Sequence, residues 1–292
     1  MASGVTSANP AILSTDPKVL IQYAMLVLKA ESVPPAQTVY HPGDVIDIAY
    51  DALDMRYKVV TAFYGNDLAT EINPGRAQQI VSFGFVVQDS SGNVVISIRG
   101  TEGTQEWLQD AKFLPIQCPI LAGSGFTEDG FTAVYRSLRI TPDPASKRLV
   151  EALPDLAFPQ PVSSVTVCGH SLGGALATLC AFDVAANTPF KNPLVYSYAS
   201  PRTGNASFVD TYNQLVPRTV RIANRLDIVP KVPTPPDYGH VELLYELNPM
   251  LKVKLDLLCQ HHLTTYLFLL SLQTGGTILP LNPECVQSGI RI

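Results

Sequence analysis

The chain has 292 residues, of which 46% are apolar and 15% are charged, and its formal net charge is −5. This length suffices for one α/β domain with a large buried core, and we expect residues 1–292 to form a single domain. The apolar fraction excludes a disordered chain, and the net acidity without a basic run argues against a nucleic-acid partner.

Helical and strand patterns alternate along the chain. The first helix is predicted to begin at Thr15-Asp16-Pro17, where a capping residue precedes a proline. Strands are predicted at residues 57–64, 81–87, 94–98, 165–168, 194–199 and 220–223, with a further strand beginning near residue 238. Helices are predicted at residues 131–138, 145–153, 174–181 and 208–215. This alternation predicts the α/β class, with a mostly parallel central sheet and helices on both faces.

Targeting signals and cofactor motifs are not evident. The first 15 residues lack the cationic start and apolar stretch of a secretory signal, and the apolar segment 263–272 is too short and too interrupted to span a bilayer. Localisation therefore stays open between secreted and cytoplasmic. No cluster of metal ligands is apparent, so we expect neither a metal nor another cofactor.

The five cysteines form no CxxC pair. Cys168 and Cys180 lie within apolar runs and are expected to be free thiols in the core. Cys118 and Cys285 stay open as disulfide partners, although no pattern in the sequence supports a bridge.

The most informative motif is Gly169-His170-Ser171-Leu172-Gly173. An apolar β-branched run precedes it and a run rich in alanine and glycine follows it, which predicts a strand that turns sharply into a helix. Such a turn strains the backbone of Ser171 and exposes its oxygen, while the two glycines allow strand and helix to approach. Ser171 is therefore the candidate nucleophile.

A serine nucleophile needs a base, and the base needs an orienting carboxylate, in the chain order serine, acid, histidine. Asp227 is the best acid because it follows a predicted strand, at the edge where catalytic side chains project. Asp210, Asp237 and Asp256 are weaker alternatives. The base is expected to be one of the adjacent pair His261 and His262. His170 is expected to point away from Ser171 as a packed structural residue.

An oxyanion hole requires two backbone donors. The amide of Leu172, directly after the nucleophile, is one candidate. The second is expected after an earlier strand, where Thr101 follows the predicted strand at 94–98.

With these residues in place, the chain resembles the class 3 lipases, a family of fungal triacylglycerol lipases with bacterial and plant relatives. The resemblance covers roughly residues 80–270. Besides the serine motif, it is carried by the segments Ile98-Arg99-Gly100-Thr101, Trp107-Leu108-Gln109-Asp110, Gly130-Phe131, Tyr198 to Asn205 and Arg221 to Pro230. It implies an α/β-hydrolase fold, Ser171 and Asp227 as nucleophile and acid, and Thr101 with the amide of Leu172 as the oxyanion hole.

The resemblance also bears on the base and on a lid. Relatives with the base five residues before a tyrosine match His261, since Tyr266 is five residues further on. His262 remains the alternative. The family's lid corresponds to residues 102–113, which contain Trp107, and would open at a lipid–water interface; a fixed surface helix is the alternative. Glu128 stands where the family usually has histidine, and His240 matches a position with a structural role.

The sequence therefore predicts a carboxylic ester hydrolase, first of all a triacylglycerol lipase that works through an acyl-enzyme intermediate. A short-chain carboxylesterase, a feruloyl esterase and a phospholipase A1 are alternatives within the same chemistry. Outside it, the alternative is a catalytically silent hydrolase fold that serves as a binding module. The expected partner is an ester or lipid substrate.

Overall fold

The structure, a computed structural model, describes residues 12–34, 37, 39–68, 79–101, 112–241, 243–249 and 252–287. The strands are β1 (Val45–Tyr50), β2 (Leu53–Asn66), β3 (Ile80–Asp89), β4 (Asn93–Ile98), β5 (Pro115–Gln117), β6 (Phe126–Glu128), β7 (Ser164–His170), β8 (Leu194–Tyr198), β9 (Thr219–Asn224) and β10 (Leu244–Leu247). The α-helices are α1 (Pro17–Glu31), α2 (Asp129–Ser137), α3 (Leu149–Ala152), α4 (Leu172–Asn187), α5 (Ala206–Leu215), α6 (Leu257–His261) and α7 (Leu263–Ser271). The predicted lid at 102–113 lies outside the described residues, apart from residues 112 and 113.

In the described part of the chain, eight strands form one sheet in the order β1-β2-β3-β4-β7-β8-β9-β10. Neighbours from β1 to β4 are antiparallel, and neighbours from β4 to β10 are parallel. Strands β5 and β6 form a separate small ribbon. The crossovers from β7 to β8 and from β8 to β9 carry α4 and α5, as is usual for parallel connections.

Side chains of the central strands alternate between two apolar cores, one on each face of the sheet. Ile96 of β4 and Val167 of β7 belong to the core that includes residues of α2, α3, α4 and α5. Val95 and Cys168, their sequence neighbours, belong to the core that includes residues of α1 and α7. Because successive strand residues point to opposite faces, the predicted arrangement of a mostly parallel sheet with helices on both faces is confirmed.

Two predicted elements differ from the structure. The helix predicted at 145–153 is only α3, because the backbone of Arg148 pairs instead with that of Arg139 and residues 145 and 146 bond to Asp143 in a turn. The strand predicted from residue 238 begins only at Leu244. Before it, Gly239 makes an isolated bridge to Gly204.

The structure contains a disulfide that no sequence pattern supported. It joins Cys259 in α6 to Cys285 near the end of the described chain, whereas Cys118, Cys168 and Cys180 are free and buried. Cys285 was open as a partner, but Cys259 was not identified, since the pairing depends on the C-terminal segment folding back beside α6. Among the described residues, no helix combines the length and the apolar character needed to cross a membrane.

Candidate active site

Ser171 forms the junction between β7 and α4. Its φ of 58° and ψ of −126° are sterically unfavourable for a residue with a Cβ atom, and its amide is held by the carbonyl of Tyr198 at 2.9 Å. A Cβ added to Gly169 would lie 2.1 Å from the Gly173 oxygen, and one added to Gly173 would lie 2.4 Å from the Arg99 oxygen. The turn therefore depends on both glycines.

Two hydrogen bonds connect Ser171 to Asp227 through His261. Nδ1 of His261 lies 2.8 Å from Oδ2 of Asp227, and Nε2 lies 2.8 Å from Oγ of Ser171. Because a carboxylate only accepts, Nδ1 donates to it and Nε2 accepts from the serine hydroxyl. The structure thus brings together the predicted serine, the predicted acid and the first of the two candidate histidines.

The carboxylate of Asp227 is held on both oxygens. The hydroxyl of Tyr266 donates to Oδ2 at 2.7 Å, and the amide of Val229 donates to Oδ1 at 2.9 Å. Burial raises the pKa of Tyr266 well above its usual range, so the phenol stays a neutral donor. Asp227 is completely buried, and these donors offset the cost of burying its charge.

His261 is in the state that a general base requires. Burial lowers the pKa of its imidazole below the ordinary value, although the neighbouring Asp227 acts in the opposite direction. The ring is therefore neutral at pH 7, and Nε2 is free of a proton to receive that of Ser171.

His262, the alternative base, makes no hydrogen bond to Ser171 or Asp227 among those found in the described residues. It is exposed at the junction of α6 and α7, and its backbone carbonyl accepts the amide of Thr265. Adjacent residues at a helix end project in different directions, so only one of the pair can face Ser171. Of the weaker acids, Asp256 caps the start of α6, and Asp210 and Asp237 are exposed.

His170 is a buried, packed residue as expected, but its ring lies beside the base rather than away from the site. Its Nδ1 lies 2.8 Å from Oε1 of Glu31 and its Nε2 lies 2.8 Å from the backbone oxygen of His261. The ring centroids of His170 and His261 are 4.8 Å apart. Sequence reasoning missed Glu31, because it lies at the end of α1 with no motif around it.

The chain that leads to Thr101 and the first residue of α4 both lie close to the nucleophile. A Cβ added to Gly100 would lie 3.2 Å from Cβ of Ser171, so the chain after β4 passes directly beside the nucleophile. Leu172 is the first residue of α4, where backbone amides lack intrahelical acceptors. Beside them lies a cavity of about 350 Å³, lined by Glu31, Arg99, Gly100, Thr101, His170, Leu258, His261, His262 and Leu263.

Two further residues support the loops around the site. His240 donates from Nε2 to the carbonyl of Pro230 at 2.6 Å, and burial lowers the pKa of its imidazole to about 3. Glu128, which stands where the resembling family has histidine, accepts the amide of Phe131 at 2.7 Å and caps α2. Across the described ranges, no group of three or more His, Cys, Asp or Glu residues is arranged to hold a metal ion.

Comparison with known proteins shows similarity to one family. Residues 95–236 match the family model described as Lipase (class 3). The chain is 34% identical over 224 residues to Phospholipase A1-Igamma1, chloroplastic, from Arabidopsis thaliana, a match that covers 61% of this chain and 43% of that protein. It is 31% identical over 151 residues to a lipase from Rhizomucor miehei, covering 50% of this chain and 39% of that protein.

Solved structures show the same fold. The Rhizomucor miehei lipase propeptide complex superposes with a TM-score of 0.52 at 22% identity, covering 80% of this chain and 69% of that one. The Lip2 lipase from Yarrowia lipolytica superposes with a TM-score of 0.55 at 19% identity, covering 82% of each chain. The chain spans about half or less of the length of the curated relatives that it matches.

Proposed function

We propose, because residues 95–236 match the class 3 lipase family model, that the protein is a serine carboxylic ester hydrolase acting on acylglycerols, in the manner of a triacylglycerol lipase. One observation carries the proposal: the hydrogen-bonded chain from Ser171 through His261 to Asp227, with Ser171 on a strained turn. In this proposal residues 1–292 form a single domain.

The mechanism follows from the positions of these groups. Ser171 Oγ attacks the ester carbonyl carbon as Nε2 of His261 takes the hydroxyl proton, and Asp227 stabilises the imidazolium. The tetrahedral intermediate expels the alcohol, which receives its proton from His261 and leaves an acyl group on Ser171. Water then attacks the acyl-enzyme, gives its proton to His261 and releases the carboxylic acid, restoring the serine hydroxyl.

The oxyanion of the intermediate needs donors that are in place before the reaction. In this proposal the amides of Thr101 and Leu172 supply them, Leu172 from the positive end of the α4 dipole. The passage of Gly100 beside Ser171 supports Thr101 in this role. Losing one such donor costs about 10²- to 10³-fold in kcat.

A lipid–water interface is the proposed place of action, with residues 102–113 as a lid. Ser171 is only 1% exposed, and in this proposal the movement of the lid gives the ester access to it. Large apolar side chains are exposed beside the acid and ahead of the base, namely Leu226, Ile228, Leu257 and Leu258. Exposed apolar surface around a buried nucleophile suits adsorption to lipid.

Phospholipase A1 activity is the second candidate, since curated relatives with that name match the chain. Both activities cleave an acyl ester by the same chemistry and differ in what surrounds the ester. The two are separated by presenting triacylglycerol emulsions and phosphatidylcholine vesicles to the same preparation and identifying the fatty acids and lysolipids released.

The test of the proposal uses p-nitrophenyl esters from acetate to palmitate beside emulsified triacylglycerol. We expect hydrolysis by the parent protein, loss of it in Ser171→Ala, and a rate that rises when substrate exceeds its solubility. An unlabelled Ser171 after treatment with a serine-directed organophosphate, together with no ester hydrolysis, would favour the silent binding module.

A further inference from the structure

Glu31 connects three segments of the proposed site through one carboxylate oxygen. Oε1 contacts Nδ1 of His170 at 2.8 Å and accepts the amide of Gly100 at 3.3 Å. Nε2 of His170 in turn contacts the backbone oxygen of His261 at 2.8 Å. The end of α1 is thereby joined to the residue before the nucleophile, to the chain after β4 and to the segment that carries the base.

The carbonyl of His261 needs this partner. His261 is the last residue of α6, which has only five residues, and carbonyls at a helix C-terminus have no intrahelical donor. A helix of little more than one turn has little rigidity of its own. The bond from His170 therefore fixes the backbone from which the imidazole of His261 projects.

The hydrogen bonds define how many protons Glu31 and His170 hold between them. The His261 oxygen only accepts, so Nε2 of His170 carries a proton, and the contact between Nδ1 and Glu31 requires one more. Burial alone would lower the pKa of His170, but Glu31, with smaller contributions from the His261 backbone and Asp227, outweighs burial and raises it. Burial alone would raise the pKa of Glu31, but His170 lowers it. The shared proton therefore belongs to His170, and the pair is an imidazolium and a carboxylate.

The charged and titratable neighbours of His170 come from several elements. They are Glu31 on α1, Arg99 after β4, Asp227 after β9, His261 on α6 and Tyr266 on α7. Arg99 is directed to backbone oxygens of Gly100 and Val33. Among these groups, the carboxylate that bonds to the His170 ring is that of Glu31.

We propose that Glu31 and His170 act as one unit of positioning residues, which holds the base His261 and the Gly100–Thr101 segment in register with Ser171. The proposal rests on the ester hydrolase function proposed above. Neither residue touches a reacting atom; both act through the backbone of their neighbours. Proton transfer from Ser171 needs its oxygen within about 2.6–3.2 Å of the base, and the unit secures that distance.

The first test compares Glu31→Gln, His170→Gln and the double variant, with Glu246→Gln as the matched control at an exposed position on β10. We expect Glu31→Gln to lower kcat by roughly 10- to 100-fold, because small displacements of catalytic groups cost that much, with KM close to that of the parent. The double variant should be no worse than the poorer single variant, since both substitutions break one unit.

The pH profile separates positioning from mere structural support. The charge on His170 lowers the pKa of His261 more than the charge on Glu31 raises it, so losing both charges in Glu31→Gln raises that pKa. The acid limb of the kcat/KM profile should therefore move to higher pH. A kcat within about twofold of the control with an unmoved acid limb, or single effects that multiply in the double variant, would overturn the proposal.

Histidine NMR gives a readout that does not need activity. In ¹⁵N spectra of the parent at pH 7, the His170 ring, assigned by its loss in His170→Gln, should be doubly protonated, and a neutral ring would overturn the proposal.

The failure of the proposed function and the failure of this inference give different results. If the parent hydrolyses no ester, the proposed function fails, while an unchanged His261 titration in Glu31→Gln would independently refute the coupling. Should Glu31→Gln not fold, Glu31→Asp replaces it, with lower kcat expected and a normal kcat contradicting the proposal.

Discussion

The hydroxyl of Tyr266 lies 2.7 Å from Oδ2 of Asp227, the same oxygen that faces the imidazole of His261 at 2.8 Å. The phenol also accepts the amide of Asn224 at 3.0 Å. Tyr266 lies five residues along the chain from the proposed base. Its hydroxyl thus links the proposed acid to the end of β9. The proposed acid, Asp227, is therefore oriented by a residue of α7, although Asp227 itself follows β9.

Tyr266→Phe should therefore lower both activity and stability. It removes a donor to a buried carboxylate and leaves the Asn224 amide without its acceptor, which costs about 1–3 kcal/mol in the free energy of unfolding. Turnover should fall roughly tenfold as the acid loses its orientation. Urea unfolding and ester kinetics measure the two effects. Tyr245→Phe, which removes an exposed hydroxyl bonded to Gln273, is the control; equal effects in both variants would speak against the account.

Glu128 predicts a pH dependence of stability. Burial raises the pKa of its carboxyl from 4.5 to about 7, so the folded state binds the proton more tightly than the unfolded state does. Its stabilising contribution is full below pH 4.5 and is lost as the pH rises to about 7. Integrated over that window, the contribution is about 3 kcal/mol at most.

Glu128→Gln should remove this slope while keeping an oxygen for the α2 cap. The melting temperature of the variant minus that of the parent should therefore be higher at about pH 8 than at about pH 5. Melting curves at both pH values measure the difference, with the exposed Glu246→Gln as the control. A parallel pH dependence in parent and variant would show that Glu128 does not titrate as described.

Gly173→Ala tests the close approach at the turn. The added Cβ would lie 2.4 Å from two backbone oxygens, those of Ile98 and Arg99, neither of which can move as a side chain would. We expect a loss of about 2–3 kcal/mol in the free energy of unfolding, together with reduced activity. Gly239→Ala, whose nearest atom is a side-chain carbon of Val209 at 3.3 Å, should cost much less, and an equal cost would contradict the packing argument.

The sequence predicted the features that depend on near neighbours. The turn at Ser171 is encoded by residues within a few positions of it, namely an apolar strand, two glycines and a helix of small residues. The fold class was equally accessible, because hydrophobic patterns report which strands are buried on both faces.

Features that depend on distant contacts and carry no motif were not predicted. Glu31 lies 139 positions from His170, and a glutamate at the end of an amphipathic helix carries no signal of its partner. The residues alone also left His261 and His262 open, because the direction of a side chain at a helix end depends on the helix boundary. The Cys259–Cys285 bridge was missed for the same reason, since it requires the path of the C-terminal segment.

The choice between the two histidines gives the most direct test of the proposed active site. With a soluble p-nitrophenyl ester, His261→Ala should lower kcat by about 10⁴- to 10⁶-fold, as loss of a triad base does, while His262→Ala at its exposed position should change it by no more than about twofold. Substantial activity in His261→Ala, or loss confined to His262→Ala, would contradict the assignment of Ser171, His261 and Asp227 as the catalytic residues.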